Sequence, residues 1–598
     1  MCFLCDPGIA KAAEGFSFMS RRTLLKGAAV FAAGAIVCEP IIGATAAHAQ
    51  DAPVGVTVYH SGDILSMEGD EPTYLEALVV KDGKIAFTGS KTEAISFAGD
   101  GATEIDLQGK TLLPGFIDAH GHIFNTGFQQ LSANLLPPPD GECKDIASLI
   151  EITKEWAGRN ENAIKKAGWI IGFGYDDSQL AEKRHPNADD LDKISTDLPV
   201  VVLHQSLHLA AFNHKALELA RYTAETPNPA GGIIRRGADG KTPTGELEEM
   251  AVFGPLFAIL ASLDAESNER LALAGIEAYV KFGFTTAQEG RSAAAASETW
   301  RKLAREGRLD IDVAVYPDLQ SEQPYMEKNG VSAEYDNHFR IAGVKLSFDG
   351  SPQGKTAWLT KPYLHPPAGQ PADYVGYPAI PDPKERERLV NLAFERNWHL
   401  LCHNNGDAAS DAFIDAVDKA ASKYGNDDRR TVMIHAQTVR EDQLDRMKEL
   451  KITPSFFTMQ TFYWGDWHRD ETLGKERAYR ISPTVSALKR EMLFTTHHDA
   501  PVALPSALVI LHTTINRTSR SGDIIGADQR VSPYIALKSI TDWAAWQGRE
   551  ESIKGTLTAG KLADIVILEA NPLKVEPSTI RDIKVLKTIK EGRTVYST

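Results

Sequence analysis

Thr111-Leu112-Leu113-Pro114-Gly115-Phe116-Ile117-Asp118-Ala119-His120-Gly121-His122 joins an apolar run to two histidines spaced two apart. In an extended segment residues i and i+2 share a face, so His120 and His122 point the same way at the end of a strand over 111–117. Two neutral imidazoles on one face are half of a metal site.

Downstream, apolar runs at 285–288, 311–316, 341–346, 399–402, 431–434, 452–456 and 492–495 read as further strands. Between them, 265–282, 383–396, 409–424 and 440–450 carry apolar residues at three- and four-residue intervals and read as helices. Eight strands alternating with helices predict an α/β chain, a (β/α)8 TIM-type barrel over 114–552 with its chemistry at the C-terminal strand ends. The stretch of about 130–263 is too long for a βα loop and holds strand-like runs at 169–173 and 200–204. It is expected to be an inserted subdomain covering the barrel mouth. Both chain ends, 54–113 and 553–598, consist of short β runs, with Lys81-Asp82-Gly83-Lys84 as a hairpin turn. Neither end alone makes a stable sheet with a buried face, so the two are expected to pair into one composite β-sandwich.

The remaining metal-compatible groups fall where such a barrel needs them. Lys345 lies on the fourth strand, His403 and His435 directly follow the fifth and sixth, and Asp499 follows the eighth within Thr496-His497-His498-Asp499-Ala500-Pro501. Singly, a histidine closing a strand is ordinary hydrogen-bonded structure and an aspartate before Ala-Pro is a turn residue. Jointly, six such groups at the ends of strands one, four, five, six and eight point to a metal centre.

This pattern resembles the metal-dependent amidohydrolase superfamily, in particular its amidohydrolase-3 branch, which includes N-substituted formamide deformylases. The resemblance covers about 54–596 and rests on the His120-Gly121-His122 segment, Val344-Lys345-Leu346-Ser347-Phe348-Asp349-Gly350-Ser351, His403-Asn404-Asn405-Gly406-Asp407, His435-Ala436-Gln437, Asp499-Ala500-Pro501-Val502 and Gly560-Lys561-Leu562-Ala563-Asp564. It implies that His120, His122, His403, His435 and Asp499 ligate one or two divalent ions, with zinc as the expected metal. It further implies that Lys345 is carbamylated and bridges two ions. An ammonium has three donors and no lone pair, whereas a carbamate offers two anionic oxygens. The sequence departs from the branch beside three ligands: Ile434 replaces an acidic residue, Asn404-Asn405 an apolar pair, and Thr496-His497-His498 a small Gly-Ser lead-in.

The implied activity is hydrolysis of a carbon-nitrogen bond, amide or formamide-like but not peptide, by a metal-activated hydroxide, with Asp499 carrying the proton to the leaving nitrogen. The partner is a small molecule. Ester, lactone or cyclic C–N cleavage is the alternative within the same chemistry, and a non-catalytic metal-binding protein on the same fold is the alternative outside it. His208 matches a histidine of the family pattern and is a candidate catalytic and substrate-binding group, against a structural role. Glu289 ends the second strand and is a candidate substrate contact, against a buried partnered carboxylate. Cys402 alternates away from His403 and reads as core. One of His497 and His498 is a candidate support for the ligands. The aromatic stretch from Phe456 to Trp467 either lines an apolar pocket or packs a long loop.

Composition narrows the setting. The 598 residues are 43% hydrophobic with a net charge of -16, enough for more than one core and unfavourable for nucleic acid. Five cysteines in this length make no disulfide framework. Ser20-Arg21-Arg22-Thr23-Leu24-Leu25-Lys26, the apolar run 27–37 and Ala47-His48-Ala49 read as a twin-arginine signal peptide over 1–49, cleaved near Ala49. Its apolar run is too short for a bilayer, so the mature chain is expected to be a periplasmic or secreted protein rather than an integral membrane one, with the twin-arginine export machinery as partner. Replacing Arg21 and Arg22 with lysine should strand the precursor in the cytoplasm. Unchanged delivery to the periplasm, followed by fractionation and immunoblotting, would contradict this reading.

Overall fold

Gly115 divides what the sequence presents as one strand. In a computed structural model of the chain, Thr111–Pro114 and Phe116–Ile117 are separate strands belonging to different sheets. Gly115 N donates to Asp564 O, Phe116 N to Gly283 O, and a β-carbon at Gly115 would meet the Thr285 side chain at 2.4 Å. Only glycine lets the chain pass that closely from one sheet into the next. The structure describes residues 55–598 apart from 208, 230, 231, 262, 368 and 369, so the leader expected over 1–49 and His208 lie outside the described residues.

Strands from both chain ends form one sheet, in the order Arg593–Ser597, Val585–Lys590, Ile565–Leu568, Thr111–Pro114, Thr57–Leu65, Tyr74–Lys81, Lys84–Gly89. Thr103–Asp106 pairs in parallel with Thr57–Leu65 as an additional strand. Both chain ends thus pair as expected, and their strands are hydrogen-bonded in one continuous path around a shared core. The reason is that Thr57–Leu65 bonds to Tyr74–Lys81 at one edge and to both Thr103–Asp106 and Thr111–Pro114 at the other. Alternation sends Tyr59 and Leu78 into a core shared with Ile565 and Ile589, which Ile64 joins because the strand is irregular between His60 and Ile64, while Val58, Ala77 and Val79 pack with Ala94 of the helix Lys91–Ala98.

The remaining strands of this unit run parallel at eight positions. Phe116–Ile117, Phe284–Ser292, Asp312–Pro317 and Phe339–Ile341 form one run. Val344–Ser347, Leu400–Asn404, Val432–His435, Thr453–Phe456 and Thr495–Thr496 form the other. The fourth strand of the sequence reading is thus two pieces, bridged to the third where Leu319 N donates to Lys345 O. The ring closes through 539–540, because Thr496 N donates to Ser539 O and Ile117 N to Ile540 O. This is an α/β fold of TIM-barrel type. Outward residues Leu346, Cys402 and Met433 join the large core made with the helices, whereas Ala314, Tyr316, Leu401, Val432 and Ile434 fill the interior. Each fully buried aliphatic side chain of this kind contributes about 1.5–3 kcal/mol.

Residues 133–264 form a second compact unit, a six-stranded sheet in the order Gly232–Arg236, Pro243–Glu249, Leu209–Phe212, Val200–His204, Ile170–Tyr175, Ala133–Asn134. Its core includes Leu149 and Ile150 of the helix Ile146–Arg159 against Ile170, Val200 and Val202. Among the described residues no helix is long and apolar enough to cross a membrane.

The N-terminal end of the third barrel strand is tied to the composite sheet by charge. Buried Asp312 receives Lys554 Nζ at 2.5 Å, Lys590 Nζ at 2.6 Å and His338 Nδ1 at 2.7 Å, and Lys590 also reaches Asp564 at 2.8 Å. Burial opposes ionisation of Asp312, but the two ammoniums outweigh it and hold the carboxyl well below its ordinary value. Asp312→Asn leaves two buried ammoniums short of a counter-charge and should cost about 3–5 kcal/mol. Denaturant unfolding of the variant checks this, and a loss under about 1 kcal/mol would contradict it.

Candidate metal centre

Four strands and one returning loop bring the expected ligands together. His120 and His122 leave the first strand, and His122 caps the helix Ile123–Gln130. Gly121 is required between them, since a β-carbon there would lie 2.3 Å from Tyr279 Oη and 2.6 Å from Asp118 Oδ2. The loop after the eighth strand closes against them: Asp499 N donates to His120 O and His122 N to Ala500 O. Lys345 and His403 face inward because their strand partners Leu401 and Ile434 belong to the interior cluster. His435 is different. Val432 and Ile434 face inward, so strict alternation would send His435 outward. The backbone instead turns left-handed, with φ 71° at His435 and 44° at Ala436, and returns the imidazole to the site. Asp499 also has a positive φ, 54°.

Asp499 Oδ1 lies 3.3 Å from His120 Nε2 and 3.4 Å from His122 Nε2, and Oδ2 lies 4.0 Å from His435 Nε2. Lys345 Nζ is 3.1 Å from His120 Nε2, and His435 Nε2 is 3.0 Å from His403 Nδ1. All six residues are buried. Ligand atoms of His120, His435 and Asp499 lie within 4.8 Å of one another, and Asp499 Oδ1 accepts no hydrogen bond.

The hydrogen bonds behind the ligands decide which nitrogens offer lone pairs. Gln288 Nε2 donates to Ala119 O at 3.0 Å, which orients the amide so that Oε1 faces His120 Nδ1 at 2.8 Å. His120 Nδ1 therefore carries the hydrogen and Nε2 the lone pair. His403 Nε2 faces the Gly350 carbonyl at 3.1 Å, with Asp349 Oδ1 at 3.6 Å. Asn405 Nδ2, also near this nitrogen, is committed to the same carbonyl at 2.8 Å. A carbonyl only accepts, so His403 keeps its hydrogen on Nε2 and turns the Nδ1 lone pair toward His435. The donor set thus fits a divalent cation: lone pairs from separate strands converge beside a carboxylate oxygen with no donor of its own.

Electrostatics agree. His120, His403, His435 and His497 are held well below the ordinary imidazole value, chiefly by burial, with Lys345 or neighbouring imidazoles adding to it. They are neutral, the form that binds metal. Asp118 is pushed up to about 7 by burial against the amides of Gln288 and His120. Asp349 is likewise pushed up to about 7 by burial, against the amides of Asn405, Gly406 and Trp358.

Other expected residues sort as follows. Glu289 is fully buried and accepts from Phe124 N at 2.9 Å, which places it at the first turn of the helix after His122. Cys402 is in the outer core. His497 stands behind His435, Nε2 to Nδ1 at 3.0 Å, and His498 Nε2 lies 3.3 Å from Asp118 Oδ1. Phe457 stacks on His497 at 5.4 Å, and Phe462, Tyr463 and Trp464 pack on one another, with Arg520 over the first two. Sequence reasoning missed Gln288, Asn405 and the structural aspartates Asp118 and Asp349. Their one available signal was adjacency to a ligand or a strand end.

Two further groups of metal-type side chains occur among the described residues, and neither suits a cation. In Asp176, Asp177 and His204, the Ser206 amide donates to His204 Nδ1 at 3.0 Å, so Nε2 carries the hydrogen whether the ring is neutral or charged. In Asp312, His338 and Glu591, Lys554 and Lys590 already occupy Asp312.

Fold and site together define a metal-dependent hydrolase of the TIM-barrel class. Residues 103–596 match the amidohydrolase-3 model of the amidohydrolase family, and the chain belongs to that family. YtcJ of Bacillus subtilis (strain 168) is 26% identical over 553 residues, 90% of this chain and 99% of its own length. The N-substituted formamide deformylase of Arthrobacter pascens is 26% identical over 526 residues, 86% of this chain and 94% of its own. The crystal structure of an uncharacterized metal-dependent hydrolase from Pyrococcus horikoshii OT3 superposes with a TM-score of 0.69 at 25% identity, covering 88% of this chain and 99% of that one. These relatives and the His/Asp cluster point to a divalent metal.

The buried neutral imidazoles make the metal-free protein acid-sensitive. A base whose pKa is lower folded than unfolded takes up a proton on unfolding below about pH 6.5, so stability falls as pH drops, by about 1.4 kcal/mol per pH unit per proton. Besides the four site histidines, burial lowers His399, His468 and His498 to about 3. Asp118 and Asp349, raised to about 7, act in the opposite sense but are outnumbered. The Tm of chelator-treated protein should fall between pH 7 and 5, and a flat profile would contradict the assignment of neutral imidazoles.

Proposed function

We propose that this chain hydrolyses carbon-nitrogen bonds of amide or formamide-like small molecules, peptide bonds excluded. The observation that carries this is the approach of His120 Nε2 and His122 Nε2, at 3.3 and 3.4 Å, to Asp499 Oδ1, a buried carboxylate oxygen that accepts no hydrogen bond. The name of the Arthrobacter relative supports a C–N bond as the target. His120, His122, His403, His435 and Asp499 would hold one or two ions, zinc by the preponderance of imidazole donors. A divalent ion bound there lowers the pKa of a water molecule to about 7 and polarises a carbonyl.

The side chains supply the rest. Asp499 accepts a proton from the attacking water and returns it to the departing nitrogen, since a carboxylate can spend one oxygen on a ligand role and the other on the proton. Lys345 as a carbamate adds two anionic oxygens beside His120 Nε2, and as an amine it leaves a one-ion site. Gln288 and the Gly350 carbonyl hold the imidazoles in donor tautomers. A twin-arginine leader over 1–49, as the Arg21-Arg22 segment suggests, would put this chemistry outside the cytoplasm.

Chelation should abolish turnover of an N-substituted formamide or simple amide, and added zinc or cobalt should restore it. Asp499→Asn should keep most metal while losing about 10²–10⁴ in rate. Metal content and turnover are measured together. Near-normal turnover with metal bound would exclude Asp499 as the proton carrier, and active protein free of stoichiometric metal would overturn the reading.

A further inference from the structure

The four-residue chain Ser455, His497, His435, His403 runs through the barrel interior with unbroken contacts: Ser455 Oγ to His497 Nδ1 at 2.9 Å, His497 Nε2 to His435 Nδ1 at 3.0 Å, and His435 Nε2 to His403 Nδ1 at 3.0 Å. The last contact belongs to the metal centre and the first two lie behind it. His497 is fully buried, stacked on Phe457 with planes 22° apart, and its amide donates to Phe456 O, so the ring is fixed from two sides.

From this geometry we infer that His497 is a positioning residue for the metal centre, accepting the Nδ1 hydrogen of His435 so that His435 Nε2 presents its lone pair. The inference rests on the metal reading of the site. A neutral imidazole has one hydrogen. If His435 Nε2 is a ligand atom, that hydrogen sits on Nδ1, and the group facing Nδ1 is His497 Nε2. His497 must then carry its own hydrogen on Nδ1 and donate it to Ser455 Oγ, an oxygen able to accept. From His435 through His497 to Ser455 each hydrogen has one acceptor, and at the His435 Nε2 to His403 Nδ1 contact two lone pairs face each other, as a shared cation would require. His120 reaches the same state through Gln288 Oε1 and His403 through Gly350 O. His435 follows a left-handed turn at the strand end, and its supporting acceptor comes from the neighbouring loop as a side chain. This also accounts for a departure in sequence, His497 standing where the family resemblance places a small residue.

The test uses the full mature chain, stripped with chelator and titrated with Co(II), reading visible absorption for affinity and ligand field. His497→Phe keeps the ring and the stacking but offers no acceptor, and should weaken Co(II) binding about 10–100-fold, the usual effect of losing a partner to a metal-bound histidine. His497→Gln offers an amide oxygen and should recover most of that loss, with a wild-type spectrum. Ser455→Ala, which removes the far acceptor, should weaken binding in the same direction and carries the test if His497→Phe does not fold. His497→Phe binding within twofold of wild type, or His497→Gln as weak as His497→Phe, overturns the inference. Wild-type protein that takes up no Co(II) instead overturns the metal reading beneath it.

Discussion

An imidazole can give a lone pair to a site only when the hydrogen on its other nitrogen has somewhere to go, and the centre of this protein is organised around that constraint. Gln288 Oε1 takes the hydrogen of His120, and the Gly350 carbonyl takes that of His403. Each acceptor is fixed in turn: the Gln288 amide by Ala119 O, and the Gly350 segment by Asn405 Nδ2. Because every group here is buried, an error in any one tautomer would leave a donor without an acceptor at a cost of about 1–3 kcal/mol.

The same burial sets the charge state. Neutral imidazoles are the cheap form in a dry interior, and they are also the ligating form, so desolvation and metal chemistry favour one state. Lys345 is the exception. Its Nζ lies beside His120 Nε2 in a fully buried position, where an ammonium offers donors to a site otherwise made of lone pairs. Conversion to a carbamate would resolve that mismatch. Asp118 and Asp349 accept backbone amides on either side of the centre, anchoring the His120 turn and the loop after His403.

At the opposite end of the barrel the demand is stability. Asp312, Lys554, Lys590 and Asp564 form a buried ionic group joining the third strand to the strands of the chain's C-terminal end. A network of this kind is expensive to disrupt because each ion depends on the others for its counter-charge. It holds the composite sheet in contact with the barrel, and the sheet in turn hands the chain through Gly115 into the first barrel strand.

Much of this was legible in the sequence. Periodicity identified the helices, found as Ala265–Lys281, Pro383–Glu395, Asp407–Tyr424 and Glu441–Glu449, because an amphipathic face repeats every three to four residues regardless of context. Spacing placed His120 and His122 together, and alternation put Cys402 in the core. The split at Gly115, the division of the fourth strand and the strand order of the composite sheet were not legible, since hydrogen-bond partners far apart in sequence decide them. Nor was the inward turn of His435, which contradicts strand alternation and exists only because the surrounding packing holds a left-handed backbone. Local sequence determined which chemical groups stand at strand ends. Which nitrogen of each histidine faces the centre was decided by acceptors such as Gln288 and Gly350, 168 and 53 residues away from the imidazoles they orient, and only the closed barrel brings them within hydrogen-bonding reach.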